Sequence, residues 1–210
     1  MDITDRAYKE NILFLDVDTQ YDFINHKGKL YVSKAEEIVP NLKAITDLAH
    51  KNNIPIISTV DTHKKNDPEF KMFPQHCQAK TPGAKKISQT LLKKNKTLTL
   101  GEKYPFEDLI RIKDTWTQII VEKDTIDVFN SPILANLFSV IFPSTVYVYG
   151  VATEYCVKKA VLGLLKFVDK VVVVEDAIKE INSKDKEKTF LEFRKNNVQF
   201  INTAKLLEMV

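Results

Sequence analysis

Cysteine is scarce in this chain: 210 residues carry two, Cys77 and Cys156. Two thiols without framework spacing exclude a disulfide-stapled scaffold and point to a reducing compartment, by default the cytoplasm. Long apolar runs are also missing. The first ten residues, MDITDRAYKE, are polar, and the apolar run after them stops at Asp16. Neither a signal peptide nor a membrane span is expected. No one sign of charge dominates: 31 Lys and Arg against 28 Asp and Glu leave a net charge of +3, too mild to imply a nucleic-acid partner. There is no internal repeat, low-complexity tract or linker, so a single domain over residues 1–210 is expected. A hydrophobic content of 44% with 28% charged residues excludes general disorder.

What is present is a repeated strand–helix pattern. Short apolar runs read as buried strands at Asn11 to Leu15, Ile54 to Val60, Trp116 to Val121, Thr145 to Tyr149, Lys170 to Val174 and Val198 to Ile201. Residues 97–100, TLTL, are strandlike, but the stretch 87–113 has no clear period. Between the strands, helical spacing predicts a helix over 34–52, with Ser33 as cap and Glu36 at the capping-box position. Further helices follow over Pro132 to Phe142, with Ser131 as cap, from Thr153 onward, and over Lys184 to Lys195. The fold class expected is α/β: three layers, α/β/α, around a mostly parallel six-stranded sheet.

Five chemistry-bearing residues, Asp18, Asp61, His63, Lys123 and Cys156, fall at or just past the C-terminal ends of predicted strands. In a parallel sheet those ends form one edge, where ligands bind. Each residue alone has a bland reading: Asp18 as a turn cap, Lys123 as a solvated charge, His63 as a surface histidine, Cys156 as a small packing residue. Together they make a site. Cys156, in the first turn of a helix, has the position of a nucleophile, with Lys123 as nearby cation and Asp18 as proton acceptor. The turn at Gly150 to Ala152 would aim backbone N–H groups at an oxyanion. Asp61-x-His63 with His76 further on has the spacing of a divalent-metal site for Zn²⁺, Fe²⁺ or Mn²⁺, although the bare pattern is weakly specific.

These residues resemble the isochorismatase-like cysteine hydrolases, and within them the nicotinamidase/pyrazinamidase branch. The motifs that carry the resemblance are Asp18-Thr19-Gln20-Tyr21-Asp22-Phe23, Asp61-Thr62-His63, Phe73-Pro74-Gln75-His76-Cys77 with Thr81-Pro82-Gly83-Ala84, Glu122-Lys123 with Phe129, and Gly150 to Val157. The resemblance implies a triad of Asp18, Lys123 and Cys156, an oxyanion hole from the amides of Ala152 and Cys156, and a cis Val151–Ala152 peptide. It implies one divalent metal ion, Zn²⁺ first, on Asp61, His63 and His76, with Glu69 as an outer ligand. It implies a ring pocket lined by Phe23, Phe73, Val151 and Tyr155. The expected reaction is hydrolysis of nicotinamide to nicotinate and ammonia through a cysteine thioester; another small amide or carbamoyl compound is the alternative. The expected partner is the small-molecule amide, with no membrane involved and a homo-oligomer compatible. Thr62, Lys80 and Tyr21 depart from the usual tryptophan, glycine and asparagine. Lys103 is a rival for Lys123 but follows a poorer strand. Cys77, pointing away from His76 on an extended chain, reads as structural.

Overall fold

The computed structural model describes residues 11–209. The polar decapeptide behind the expectation of no signal peptide lies outside them, as does Val210. Seven strands form one sheet: β1 (Ile12–Val17), β2 (Ile56–Asp61), β3 (Asn95–Leu98), β4 (Gln118–Lys123), β5 (Thr145–Val151), β6 (Lys170–Lys179) and β7 (Gln199–Ile201). Their order is β3-β4-β2-β1-β5-β6-β7, and every neighbouring pair is parallel. The helices are α1 (Tyr21–Ile24), α2 (Val39–Asn52), α3 (Phe106–Thr115), α4 (Pro132–Ile141), α5 (Lys158–Leu164), α6 (Ser183–Lys195) and α7 (Thr203–Met209). They flank the sheet in a three-layer α/β/α arrangement, with α2 against α7, α3 against α4 and α5 against α6.

Seven strands rather than six is the first correction. The extra one, β3, is an edge strand with a half-buried, half-exposed pattern, so Lys96 in its middle tolerates water where a central strand would not. Strands β1 and β5 are buried almost throughout, which explains their continuous apolar runs. Phe14 meets Tyr147 and Tyr149 edge-on at centroid distances of 5.6 and 6.3 Å, knitting β1 to β5.

The second correction concerns α2. Ser33 is not its cap. A 3₁₀ turn over Ala35–Ile38 precedes the helix, entered from Lys34 in a left-handed conformation (φ 62°); Pro40 then opens the α-helix, as a residue without a donor can. The end is as expected, with Asn53 left-handed and its N–H on Ala49 O. Helix α4 also starts as expected, the Ser131 hydroxyl accepting from Ile133 N at 3.4 Å.

The chain runs from β1 outward through β2 on one side, then returns to the other side with β5. The crevice between the C-terminal ends of β1 and β5 is the switch point of the sheet. Asp18 follows β1, and Cys156 follows β5.

Candidate active site

Four adjacent strand ends, β4, β2, β1 and β5, deliver Lys123, Asp61, Asp18 and the Cys156 turn to one rim. Lys123 and Asp61 are register partners, the last residues of their strands. The four strands span roughly 14 Å at the usual spacing, so Lys123 must reach inward past Asp61. Its ammonium contacts Asp61 Oδ1, stands 2.8 Å from Asp18 Oδ2 and donates to Cys156 Sγ at 3.5 Å. All four residues are buried, Lys123 to 1% exposure. Lys103, by contrast, is exposed, so only Lys123 joins the cluster.

Asp18 is held in a left-handed conformation (φ 51°), its Oδ1 accepting from the Thr59 hydroxyl at 2.6 Å. Its Oδ2 has no aligned hydrogen-bond partner among the described residues. One carboxylate oxygen each from Asp18 and Asp61 lies within 4.8 Å of Cys156 Sγ. Burial pushes the Asp18 carboxyl up, Lys123 pulls it back and Asp61 adds to the rise; the net direction is upward. Burial likewise holds the Cys156 thiol well above its usual range despite Lys123. Burial alone would discharge Lys123, but Asp18 and Asp61 outweigh it and keep the ammonium charged.

Cys156 is not in an α-helical turn. Residues Thr153–Val157 form a π-helical turn, and α5 begins at Lys158. Ala152 O accepts from Tyr155 N at 3.1 Å and from Val157 N at 3.2 Å, so the turn passes over the Cys156 amide. Stabilisation of a thiolate falls to Lys123 rather than to a long helix. The Val151–Ala152 peptide is cis, and Gly150 adopts φ 118°. A Cβ on Gly150 would sit 2.0 Å from Val17 O, so no side chain fits where β5 passes β1.

Beside this cluster, Asp61, His63, Glu69 and His76 each offer one ligand atom within 4.8 Å of the others. Glu69 Oε1 stands 3.9 Å from His63 Nε2 and 3.7 Å from His76 Nε2; Asp61 Oδ2 stands 3.8 and 3.9 Å from the same two atoms. Glu69 thus stands at the same range from the two imidazoles as Asp61. Ligand atoms around tetrahedral Zn²⁺ are separated by about 3.4 Å, given bonds near 2.1 Å, a few tenths tighter than this set. The second ring nitrogens face away from the centre. His76 Nδ1 donates to Pro74 O at 2.7 Å, and His63 Nδ1 is 3.2 Å from Asp67 Oδ2, as in sites where an outer acceptor fixes the tautomer. His63 is 1% exposed, and apart from the Asp67 carboxylate beside Nδ1 its ring has no partner close enough to bond Nε2 among the described residues. A buried, orphaned Nε2 aimed at two carboxylates and a second imidazole fits a divalent cation. Burial lowers the His63 pKa, but Asp61, Asp67 and Glu69 outweigh it and bring it to about 9. Burial, reinforced by Asp61, raises Glu69 to about 7.

A pocket opens between the two clusters. Phe23, Leu30, Phe73, Ile126, Tyr155 and Ile181 give it apolar walls. Its floor and polar side are Asp61, Glu69, His76, Ala152 and Cys156, and it is narrow, with a cavity volume of about 20 Å³. Phe73 meets Tyr155 edge-on at 5.3 Å, and Phe23 lies 5.3 Å from His76. Val151 is not part of this wall. As the last residue of β5, paired with Lys179, it is wholly buried in the core.

Several residues that position the site were given no role by the sequence, although all but Asp67 lie within its motifs. Gln20 clamps the backbone of Asp61, donating to its O at 2.8 Å and accepting from its N at 2.7 Å, while also donating to Ala84 O. Asp22 Oδ2 accepts from Cys77 N at 2.8 Å and so tethers the His76 loop; a Cβ on Gly83 would lie 2.2 Å from that carboxylate. Cys77 is fully buried at φ 42°, not on extended chain, with its thiol toward Gly83 O at 3.9 Å and its pKa pushed up by burial. Asp67 caps the 3₁₀ turn that carries Glu69, accepting from Glu69 N at 2.9 Å.

The isochorismatase domain matches residues 13–205, nearly the whole chain. No curated protein matches. Among solved structures, the chain is similar to a pyrazinamidase of Pyrococcus horikoshii in complex with zinc, at 25% identity over 91% of this chain and 99% of that one, with a TM-score of 0.73. A pyrazinamidase/nicotinamidase from Streptococcus mutans shares 20% identity over 90% and 99%, with a TM-score of 0.72. An N-carbamoylsarcosine amidase from Thermoplasma acidophilum shares 18% over 91% and 96%, with a TM-score of 0.70. Among the described residues no helix is long and apolar enough to cross a membrane. With the domain matched from the first strand to the last helix, the chain belongs to the isochorismatase domain family.

Proposed function

We propose that the protein is a metal-dependent amidohydrolase that converts nicotinamide and water to nicotinate and ammonia through a thioester on Cys156. The observation that carries this reading is the junction of the two clusters. Asp61 contacts Lys123 through Oδ1 and faces both imidazoles through Oδ2, so one pocket borders a nucleophile and a metal-ligand set.

Asp18 Oδ2 takes the Cys156 proton. The thiolate attacks the carboxamide carbon, and the oxyanion is held by the amides of Ala152 and Cys156. Asp18 passes its proton to the amide nitrogen as the C–N bond breaks, and ammonia leaves. A water then gives a proton to Asp18 and attacks the thioester carbonyl. The Sγ–C bond breaks, the proton returns to Cys156 and the acid is released. Lys123 keeps Asp18 ionised before the first transfer and stabilises the thiolate. Phe73, Tyr155 and Phe23 hold the flat ring and exclude water. A divalent ion on Asp61, His63, His76 and Glu69 would supply a Lewis-acidic contact for the pyridine nitrogen. Zn²⁺ suits this nitrogen and oxygen donor set.

Ammonia release from a panel of amides, with and without chelator, tests the proposal. Nicotinamide and pyrazinamide are expected to be turned over and the activity to fall on chelation. Chelator-resistant turnover of carbamoyl compounds, without turnover of nicotinamide, would replace this reading with another amidase reaction.

A further inference from the structure

The turn that carries Cys156 is also tied to a wall of the pocket. Two residues before the cysteine, the Glu154 carboxylate accepts from Ile181 N at 3.0 and 3.2 Å, one distance to each oxygen. It also accepts from Asn182 N at 2.6 Å. Glu180, Ile181 and Asn182 form the link between β6 and α6. Ile181 lines the same pocket as Tyr155 and Cys156, yet is 44% exposed. Its own packing therefore does little to fix it. The ends of the link are pinned separately: Asn182 caps α6 through Lys184 N at 2.9 Å, and Glu180 pairs with Lys186 at 2.9 Å. Among the described residues, Glu154 supplies the bonds that join this link to the cysteine turn.

We infer that Glu154 is a positioning residue that sets substrate selection. By holding the Ile181 and Asn182 amides it fixes the Ile181 side chain as a wall against the ring of the substrate. Glu154 does not touch the reacting atoms. It acts through Ile181, so its effect falls on how tightly a ring is gripped and not on the chemistry at Sγ. Short aliphatic amides, which do not reach that wall, are indifferent to it.

This inference rests on the proposed reading of the pocket as a ring-binding amidase site. The test is steady-state kinetics of Glu154→Ala, Glu154→Gln, Ile181→Ala and the double variant Glu154→Ala with Ile181→Ala, on nicotinamide and on acetamide. Amide exchange at Ile181 and Asn182 and the rate of Cys156 alkylation are measured alongside. Losing one aliphatic contact in a pocket is worth about tenfold. Glu154→Ala should therefore raise KM for nicotinamide about tenfold with kcat within about twofold, and leave acetamide turnover and alkylation unchanged. Exchange at the two amides should accelerate. Glu154→Gln, which keeps one acceptor oxygen, should recover most of the loss. The double variant should be no worse than Ile181→Ala alone. A fall in kcat or alkylation rate in Glu154→Ala, an unchanged KM, or multiplicative losses in the double variant would overturn the inference. If the wild type turned over no ring amide, the proposed reaction would fall and take this inference with it. If the wild type did so and Glu154→Ala matched it, the inference alone would fall.

Discussion

Among the described residues Lys123 carries the one ammonium that faces Asp18, Asp61 and Cys156 together, and Lys123→Met removes it. At 3.5 Å from Sγ, and with an effective dielectric constant near 20, that charge is worth at most about 5 kcal/mol to a thiolate. Part returns, because without the cation Asp18 and Asp61 protonate more readily and cease to repel the thiolate. The sign follows from the thiol itself: burial already holds it well above the usual range, and loss of the cation moves it further up. A net rise of about 1–2 units is expected in the pH of half-maximal Cys156 alkylation. A protonated Asp18 is also lost as a base, so kcat should fall by about 10²–10⁴. Leaving two buried carboxylates without their shared ammonium costs roughly 3–5 kcal/mol of stability, so the comparison belongs well below the variant's melting temperature. Alkylation rate against pH, with Lys103→Met as the exposed control, is the assay. No upward shift in Lys123→Met, or an equal effect of Lys103→Met, would refute the role given to Lys123.

Cys156→Ala should abolish turnover and leave the fold intact. Cys77→Ala should keep most activity, losing about 1 kcal/mol of stability from its small buried volume; equal behaviour of the two in ammonia release would remove Cys156 as nucleophile. His63→Ala should raise KM for nicotinamide more than it lowers kcat, while barely changing the poor turnover of benzamide, which lacks the ring nitrogen. Equal damage to both substrates in steady-state kinetics would remove the ring-nitrogen anchor. Glu69→Gln should weaken zinc binding by more than about 100-fold, as befits a ligand, and a calorimetric loss within the roughly 10–100-fold that outer partners cost would make it an outer residue. Glu69, held up at about 7, and His63, at about 9, must shed protons to ligate. Zinc affinity should therefore rise with pH from 6 to 9, with proton release visible as a buffer-dependent binding enthalpy; binding independent of pH and buffer would contradict this.

The central strands were legible because a strand covered on both faces must be apolar throughout, as Leu13 to Leu15 and Val171 to Val174 are. Edge strand β3 was legible only in part, as the strandlike residues 97–100, since only Leu98 of its four residues is fully buried. The start of α2 was misread because Ser33 and Glu36 have the spacing of a cap, whereas the backbone turns at Lys34. The rim could be read from strand ends alone, because parallel strands bring those ends together whatever their separation in sequence. What could not be read is how the rim is held. Asp16 pairs with Lys86 and accepts from Thr19 at 2.9 Å beneath the site. Gln20 grips Asp61 across 41 residues, and Glu154 reaches Ile181 across 27. Such contacts join loops whose local patterns hold no trace of each other. Val151 and Glu69, assigned by the resemblance, show the same limit in detail: a motif places a residue in the neighbourhood, and only packing decides which way its side chain faces.

The most direct measurement is mass spectrometry of enzyme quenched in acid during turnover of nicotinamide. The account predicts a nicotinoyl group on the peptide containing Cys156, absent from the Cys77 peptide and absent in Cys156→Ala. Steady ammonia release with no acyl group on Cys156, in a quench fast enough to trap a thioester, would contradict it.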